Sequence, residues 1–233
     1  KKPSVIATAF IAYAVGNTAG FGPLSGGAIR FRAYTRMGLT PSDIARVIAF
    51  VTLSFGLGLL SVSAISTLIV APRVASIMGV DAMWLRGFAV IVIFVLATLI
   101  YVGRNGRVVQ ISQIKLRLPD SRTSSRQFLV SALDIAASAS VLYVLLPETN
   151  VGWPSFFAIY ATAVGLGVLS HVPAGLGVFE AVMVAGLGNA ISLDQLLGGL
   201  VLYRVIYHVL PLLFAIILML ITEMKQFAAK PVM

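Results

Sequence analysis

The chain has 233 residues, 59% of them hydrophobic and 11% charged, with a mean hydropathy of +0.99. That is more apolar surface than one soluble core of this size hides, so the sequence reads as an integral membrane protein. Seventeen Lys and Arg against eight Asp and Glu give a net charge of +9, which in so apolar a chain serves topology and anionic lipid rather than nucleic acid. The absence of cysteine excludes disulfides, thiolate metal sites, iron–sulfur clusters and cysteine nucleophiles.

The chain opens Lys1-Lys2-Pro3-Ser4, without the basic start, short apolar core and small-residue cleavage site of a signal peptide, and is expected to be a segment of something longer. The first apolar stretch, 5–37, is interrupted by Gly and Pro, with Gly22, Pro23, Gly26 and Gly27 as the expected break. Thr40-Pro41-Ser42-Asp43 then reads as a helix start, Thr40 capping and Pro41 in the first position. An uncharged span follows over 47–71, a loop over 72–81 and a second span over 87–103. The linker 104–126 carries Arg104, Arg107, Lys115, Arg117, Arg122 and Arg126 against Asp120 alone. A third span over 128–146 holds Asp134, and a second broken stretch over 153–188 centres on Pro173, Gly175 and Gly177. The last span, 196–222, holds Arg204 and His208.

The positive-inside tendency makes the basic linker a cytoplasmic loop, and the other sides follow by alternation. Lys1, Lys2 and Arg36 then lie inside, so 3–38 must enter from the cytoplasm and return to it, while 153–188 enters and leaves on the outside. Backbone freed by such breaks is tolerated at membrane depth only where protein buries it or a wet cavity takes it. The expected fold is a single all-α polytopic domain, 1–233, built as an inverted repeat of re-entrant broken-helix hairpins plus long transmembrane helices. The first repeat is 3–71, the linking helices occupy 85–146, and the second repeat is 153–222. Ala14-Val15-Gly16 matches Ala163-Val164-Gly165. With one residue of slippage Pro23 and Gly27 align with Pro173 and Gly177, setting Arg30 opposite Glu180. Small residues that only allow close helix packing are the other account of both breaks.

A charged side chain at the bilayer centre costs about 2.5–3.5 kcal/mol on insertion scales, so it normally faces water or a partner. Asp134 falls about 12 Å into its span at 1.5 Å per residue, and Arg204 a similar distance into the last one from the other side. The two are expected to pair, either within a substrate path or simply to lock two helices. Arg30 and Glu180 follow the breaks, where half-helix N-termini collect unpaired N–H groups and the positive dipole end. Arg30 adds to an anion site or snorkels like Arg32 and Arg36. Glu180 receives a substrate cation or caps its own helix. Asn17, Ser25, Ser170 and His171 offer neutral hydrogen bonds, and His208 shares a helical face with Arg204 and can titrate. No metal or cofactor is expected. Gly20-Phe21-Gly22-Pro23-Leu24-Ser25 lacks the third Gly and preceding strand of a dinucleotide fingerprint, and zinc-protease and nucleophile-elbow patterns are missing. No enzyme site is found.

The runs Gly16-Asn17-Thr18-Ala19-Gly20-Phe21-Gly22-Pro23-Leu24-Ser25-Gly26-Gly27-Ala28-Ile29-Arg30-Phe31-Arg32 and Ser170-His171-Val172-Pro173-Ala174-Gly175-Leu176-Gly177-Val178-Phe179-Glu180 resemble the membrane region of the bifunctional lysyl-phosphatidylglycerol flippase/synthetase, the multiple peptide resistance factor family. The likeness covers most of the chain, and Pro-x-Gly-x-Gly-x-Phe-Glu is its more specific motif, shared with related membrane proteins. It implies a multi-pass protein of the bacterial cytoplasmic membrane that moves aminoacylated phosphatidylglycerol to the outer leaflet and so protects against cationic antimicrobial peptides. A separate soluble domain of such proteins transfers lysine, sometimes alanine, from charged tRNA to phosphatidylglycerol. These 233 residues hold none of that chemistry and look like the first half of the family's membrane region. The lipid head carries one phosphate and two ammonium groups. Arg30 and the half-helix N-termini would hold the phosphate, Glu180 and Asp134 the ammonium groups, and Arg204 would balance the acids. Expected partners are this phospholipid, the synthetase domain of the same chain and a second copy as a homodimer. Two other functions fit the residues: a membrane scaffold anchoring that synthetase, and an ion- or proton-coupled transporter of a small solute using Asp134, Glu180 and His208.

Overall fold

The structure, a computed structural model, describes residues 2–19, 22–103, 108–111, 114–117 and 121–228. The described residues are almost wholly helical. Helices α1 (Lys2–Ala19) and α2 (Gly22–Arg36) flank residues 20 and 21, which lie outside the described residues. The helix thus resumes earlier than expected, and Gly22, Pro23, Gly26 and Gly27 belong to α2 rather than to the break. Pro23 is the second residue of α2, a position whose N–H has no helical partner in any case. Gly38, at φ 87°, ends α2: its own N–H reaches the Thr35 carbonyl and the Leu39 N–H reaches the Tyr34 carbonyl, a left-handed cap that glycine adopts without steric cost.

Helix α3 runs Pro41–Met78. Its start is the expected one: the Asp43 N–H donates to Thr40 Oγ1, whose hydroxyl donates to Asp43 Oδ2 at 2.6 Å. Its end is not, because the expected loop 72–81 is helical through Pro72 as far as Met78. Proline withdraws one N–H from the ladder, which apolar spans tolerate when neighbouring groups re-satisfy the backbone. The stop comes at Gly79, φ 64°, where the Val80 N–H caps the Ala75 carbonyl. Helix α4 (Ala82–Gly103) starts five residues before the expected span, because Asp81 Oδ1 accepts the Met83 N–H at 2.7 Å.

Within the basic linker, β1 (Val108–Ile111) pairs antiparallel with β2 (Ile114–Arg117). Helix α5 (Ser121–Leu145) takes Arg122 and Arg126 into its first turns. The second broken stretch comprises α6 (Trp153–Leu169), a short turn at Pro173–Gly175, and α7 (Val178–Leu187). Helix α8 (Leu193–Arg204) passes through a π-helical segment, Val205–Val209, into α9 (Leu210–Ala228). Among the described residues, four helical stretches are long and apolar enough to cross a bilayer: Pro41–Pro72, Ala82–Val102, Arg122–Leu145 and Leu193–Met224. Met83, Trp84, Phe88, Ile91 and Phe94 of α4 are exposed, a surface that suits lipid rather than water. The protein is a membrane protein.

The chain forms two compact units, one holding Lys1–Phe50, His171–Ala174 and Val201–Met233, the other Val51–Ser170 and Gly175–Leu200. In the first, Ile11, Ala14 and Ala215 form a buried cluster with Val15, Ile29, Leu218 and Met219 against it. In the second, α3 and α6 meet where a Cβ on Gly165 would come within 2.5 Å of Ser63. Ser63 Oγ donates to the Ala161 carbonyl there, and Thr67 to Thr162. Hydrogen bonds between spans average about 0.6 kcal/mol, so close packing at the small residues contributes the larger share of that contact. Helices α6 and α7 fold back on one another: Gly175 lies against Gly167 and Gly186 against Ile159, both pairs centred near residue 171.

Candidate functional site

In the first unit, α1 and α2 touch where glycine leaves room. A Cβ on Gly26 would stand 2.5 Å from the Ala12 carbonyl oxygen and 3.3 Å from Arg30 Nη1, so the side chain of Arg30 lies back along α2 towards α1. Arg30 is half-buried and forms no ion pair among the described residues. Further along the helix, Arg32 and Arg36 both reach Glu223, at 2.9 and 2.8 Å. Among the described residues the three arginines, equivalent by charge, therefore divide into one without an ion pair in the middle of α2, not at its N-terminus as expected, and a pair tethered to Glu223 further along.

The same unit holds the second break's first half and the last span's centre. Arg204 Nη1 donates to the Ala174 carbonyl, and Ala174 and His171 both sit at positive φ, 51° and 57°. A non-glycine residue there stores strain that the surroundings must hold; Arg204 is one of the groups holding it. Beyond Arg204 the ladder widens, the Leu210 N–H bonding the Val205 carbonyl five residues back. Pro211 supplies the reason, since its ring and missing N–H rule out an ordinary bond to the carbonyl of Tyr207. Within the widened turn the His208 carbonyl accepts from Thr18 Oγ1 at 3.4 Å, and Tyr207 Oη bonds Tyr13 Oη at 2.9 Å. Single π turns inside α-helices recur at functional sites.

In the second unit Glu180 lies one turn into α7, and its Oε2 accepts the Gly177 N–H at 2.8 Å. This is the helix-capping geometry weighed from the sequence, with Gly177 at φ 82°. The residues aligned between the two breaks differ in conformation, Gly27 being inside α2 and Gly177 outside α7. Asp134 is half-buried on α5, and among the described residues its carboxylate forms no ion pair. Asp134 and Arg204, the expected pair, belong to different units.

Sequence reasoning passed over the surroundings of Asp134. Ser124, Gln127, Ser131, Asp134 and Ser138 recur at intervals of three and four on α5, one polar face of an apolar helix; that spacing was the signal. The Ser131 hydroxyl is buried against Gly58 and has no hydrogen-bond partner among the described residues. No group of three His, Asp or Glu side chains able to hold a metal occurs among the described residues.

No family model matches the chain. It is 36% identical over 209 residues to the uncharacterized protein slr0712 of Synechocystis sp., covering 87% of this chain and 64% of that protein. It is 29% identical over 234 residues to the inner membrane protein YbhN of Escherichia coli, covering 98% of this chain and 73% of YbhN. It is 27% identical over 221 residues to the phosphatidylglycerol lysyltransferase of Staphylococcus aureus, covering 92% of this chain and 25% of the enzyme. The chain thus spans about two thirds of the first relative and a quarter of the lysyltransferase. Along most of its length the chain is thus similar to an inner membrane protein and to part of a phosphatidylglycerol lysyltransferase.

Proposed function

We propose that the chain is a lipid-translocating domain of the bacterial cytoplasmic membrane that carries aminoacylated phosphatidylglycerol from the inner to the outer leaflet. The observation that carries this reading is Asp134, an acid in the middle of a span with no ion pair among the described residues, in a chain related along 92% of its length to a protein named for lysyl transfer to phosphatidylglycerol. An intramembrane carboxylate is costly and serves a substrate or ion path by default. A lysylated lipid head brings the ammonium groups such an acid attracts; its phosphate is the chemistry that a half-buried cation complements, and Arg30, in the other unit, is one such cation by itself. In this reading the helix–break–helix segments α1–α2 and α6–α7 are re-entrant hairpins of opposite orientation, and Arg204 with the π turn is the hinge beside the second. Aminoacyl transfer itself belongs to a soluble domain outside these 233 residues, and outer-leaflet lysyl lipid lowers the surface charge that cationic peptides seek.

The test is the outer-leaflet fraction of lysyl-phosphatidylglycerol, read with a membrane-impermeant amine label in cells making the full-length protein. Asp134→Ala and Arg30→Ala are expected to lower that fraction roughly tenfold, the weight of one charge-assisted contact, with total lipid unchanged. Glu180→Ala tests its further role, since Glu180→Gln keeps an acceptor for the Gly177 N–H while removing the charge. Exposure at the wild-type level in all variants would favour the scaffold, and pH-driven solute uptake without lipid movement would favour the small-solute transporter.

A further inference from the structure

Helices α3, α4 and α5 enclose a cleft of about 220 Å³ wholly inside the second unit. Its wall is apolar where Leu57, Leu96, Ile100 and Phe128 meet, and polar where Ser61, Ser124 and Gln127 face them. The spacing of these residues is that of single helix faces: 57 and 61 on α3, 96 and 100 on α4, and 124, 127 and 128 on α5. Gly58 forms part of the wall, and the buried Ser131 hydroxyl, without a partner among the described residues, is set against it. The polar side is continuous with the α5 stripe. At 100° per residue, Ser124, Gln127, Ser131, Asp134 and Ser138 fall within an arc of about 80°, and Asp134 lies roughly 10 Å beyond Gln127 along the helix. Arg122 and Arg126, both exposed, stand on the first turns of the same helix.

We infer that this cleft is a binding site for one glycerophospholipid of the phosphatidylglycerol type, and that in its aminoacylated form the lipid is loaded there before its head moves along α5 to Asp134. An acyl chain fits the apolar wall, since all three helices are candidate spans whose surroundings are lipid. The glycerol and ester oxygens meet Ser124 and Gln127, and Arg122 and Arg126 attract the phosphate at the end of the helix. A purely apolar cleft would hold any chain equally; the hydroxyl and amide groups on one side select a lipid with a hydrogen-bonding backbone. The loading role rests on the translocation reading above, whereas the site itself does not.

The purified chain in vesicles of phosphatidylcholine and phosphatidylglycerol, doped with phosphatidylglycerol bearing a diazirine in one acyl chain, is illuminated and the adducts are mapped by mass spectrometry. Adducts are expected to concentrate around Leu96, Ile100 and Phe128. They should fall roughly tenfold in Ile100→Trp, which fills the cleft from an exposed position, and in the pair Ser124→Val with Gln127→Leu, which keeps its volume and removes its polar side. Excess unlabelled phosphatidylglycerol should compete and diacylglycerol should not. Labelling spread evenly over lipid-facing residues such as Phe94 and Val130, or adducts indifferent to both variants, would overturn the site. Adducts that persist in the wild type while amine labelling shows no translocation would retain the site and sink the transport reading; translocation without localised adducts would do the reverse.

Discussion

Gly175 answers to two constraints at once, a φ of 62° and a Cβ direction that ends 3.1 Å from the Gly167 backbone. Either would exclude most side chains; together they fix the point at which α6 and α7 fold back. Gly175→Ala is expected to cost about 1–2 kcal/mol for the left-handed backbone alone and to lower the unfolding temperature of the purified protein in detergent. Gly26→Ala should destabilise by about 1–3 kcal/mol through overpacking against the Ala12 carbonyl. Gly198→Ala on α8 meets nothing within 4 Å and should be neutral or stabilising by up to about 1 kcal/mol, the propensity difference. Loss of stability at Gly198 equal to that at Gly175 would show that small volume, not conformation and approach, is what these positions require. Among the charged residues, Glu180 was legible as a capping acid from its place three residues after Gly177. The neighbourhood of Arg30 was not, because it depends on how closely α1 comes to Gly26.

At the scale of elements, two prolines mark where propensity and context part. Pro72 was expected to stop α3, yet the helix continues to Met78 and stops at a glycine cap; in an apolar medium a broken helix exposes more unsatisfied backbone than a proline removes. Pro211 instead converts Val205–Val209 to π geometry, which turns Tyr207 and His208 towards Tyr13 and Thr18. Pro211→Ala restores the missing donor. The amides of 209–212 are then expected to exchange more slowly with solvent deuterium, by about an order of magnitude for one regained bond, and lipid export to fall as the hinge stiffens. Unchanged exchange would mean that packing against α1, not the proline, imposes the π turn. The basic linker's ribbon, β1–β2, escaped prediction because Val108–Ile111 and Ile114–Arg117 are only four residues each, too short for a period-two pattern to stand out.

For the whole molecule, the distribution of basic residues carries the proposed orientation: 104–126 inside, 147–150 outside. The cysteine-free sequence makes this directly measurable. Asn150→Cys, in an exposed loop, should react with an impermeant maleimide in intact cells, and Arg126→Cys only after permeabilisation. Labelling of both from outside would invert the assignment and with it the proposed entry side of each hairpin.

Composition and spacing alone determined that the chain is helical and membrane-embedded, where three of its long apolar helices begin to within about five residues, and that the stretch 153–188 is broken around Pro173 and Gly175. Those properties follow from local backbone chemistry and from the cost of charge in hydrocarbon, both of which are written residue by residue. Tertiary structure alone decided that Gly26 serves the close approach of α1 to α2, that Arg32 and Arg36 share Glu223, and that Arg204 holds the Ala174 carbonyl. It also decided that a cleft opens beside the polar face of α5. Each of these depends on which helix faces lie within a few ångströms of one another, and in a bilayer, where apolar faces gain nothing by leaving lipid, hydrophobic periodicity does not encode that choice.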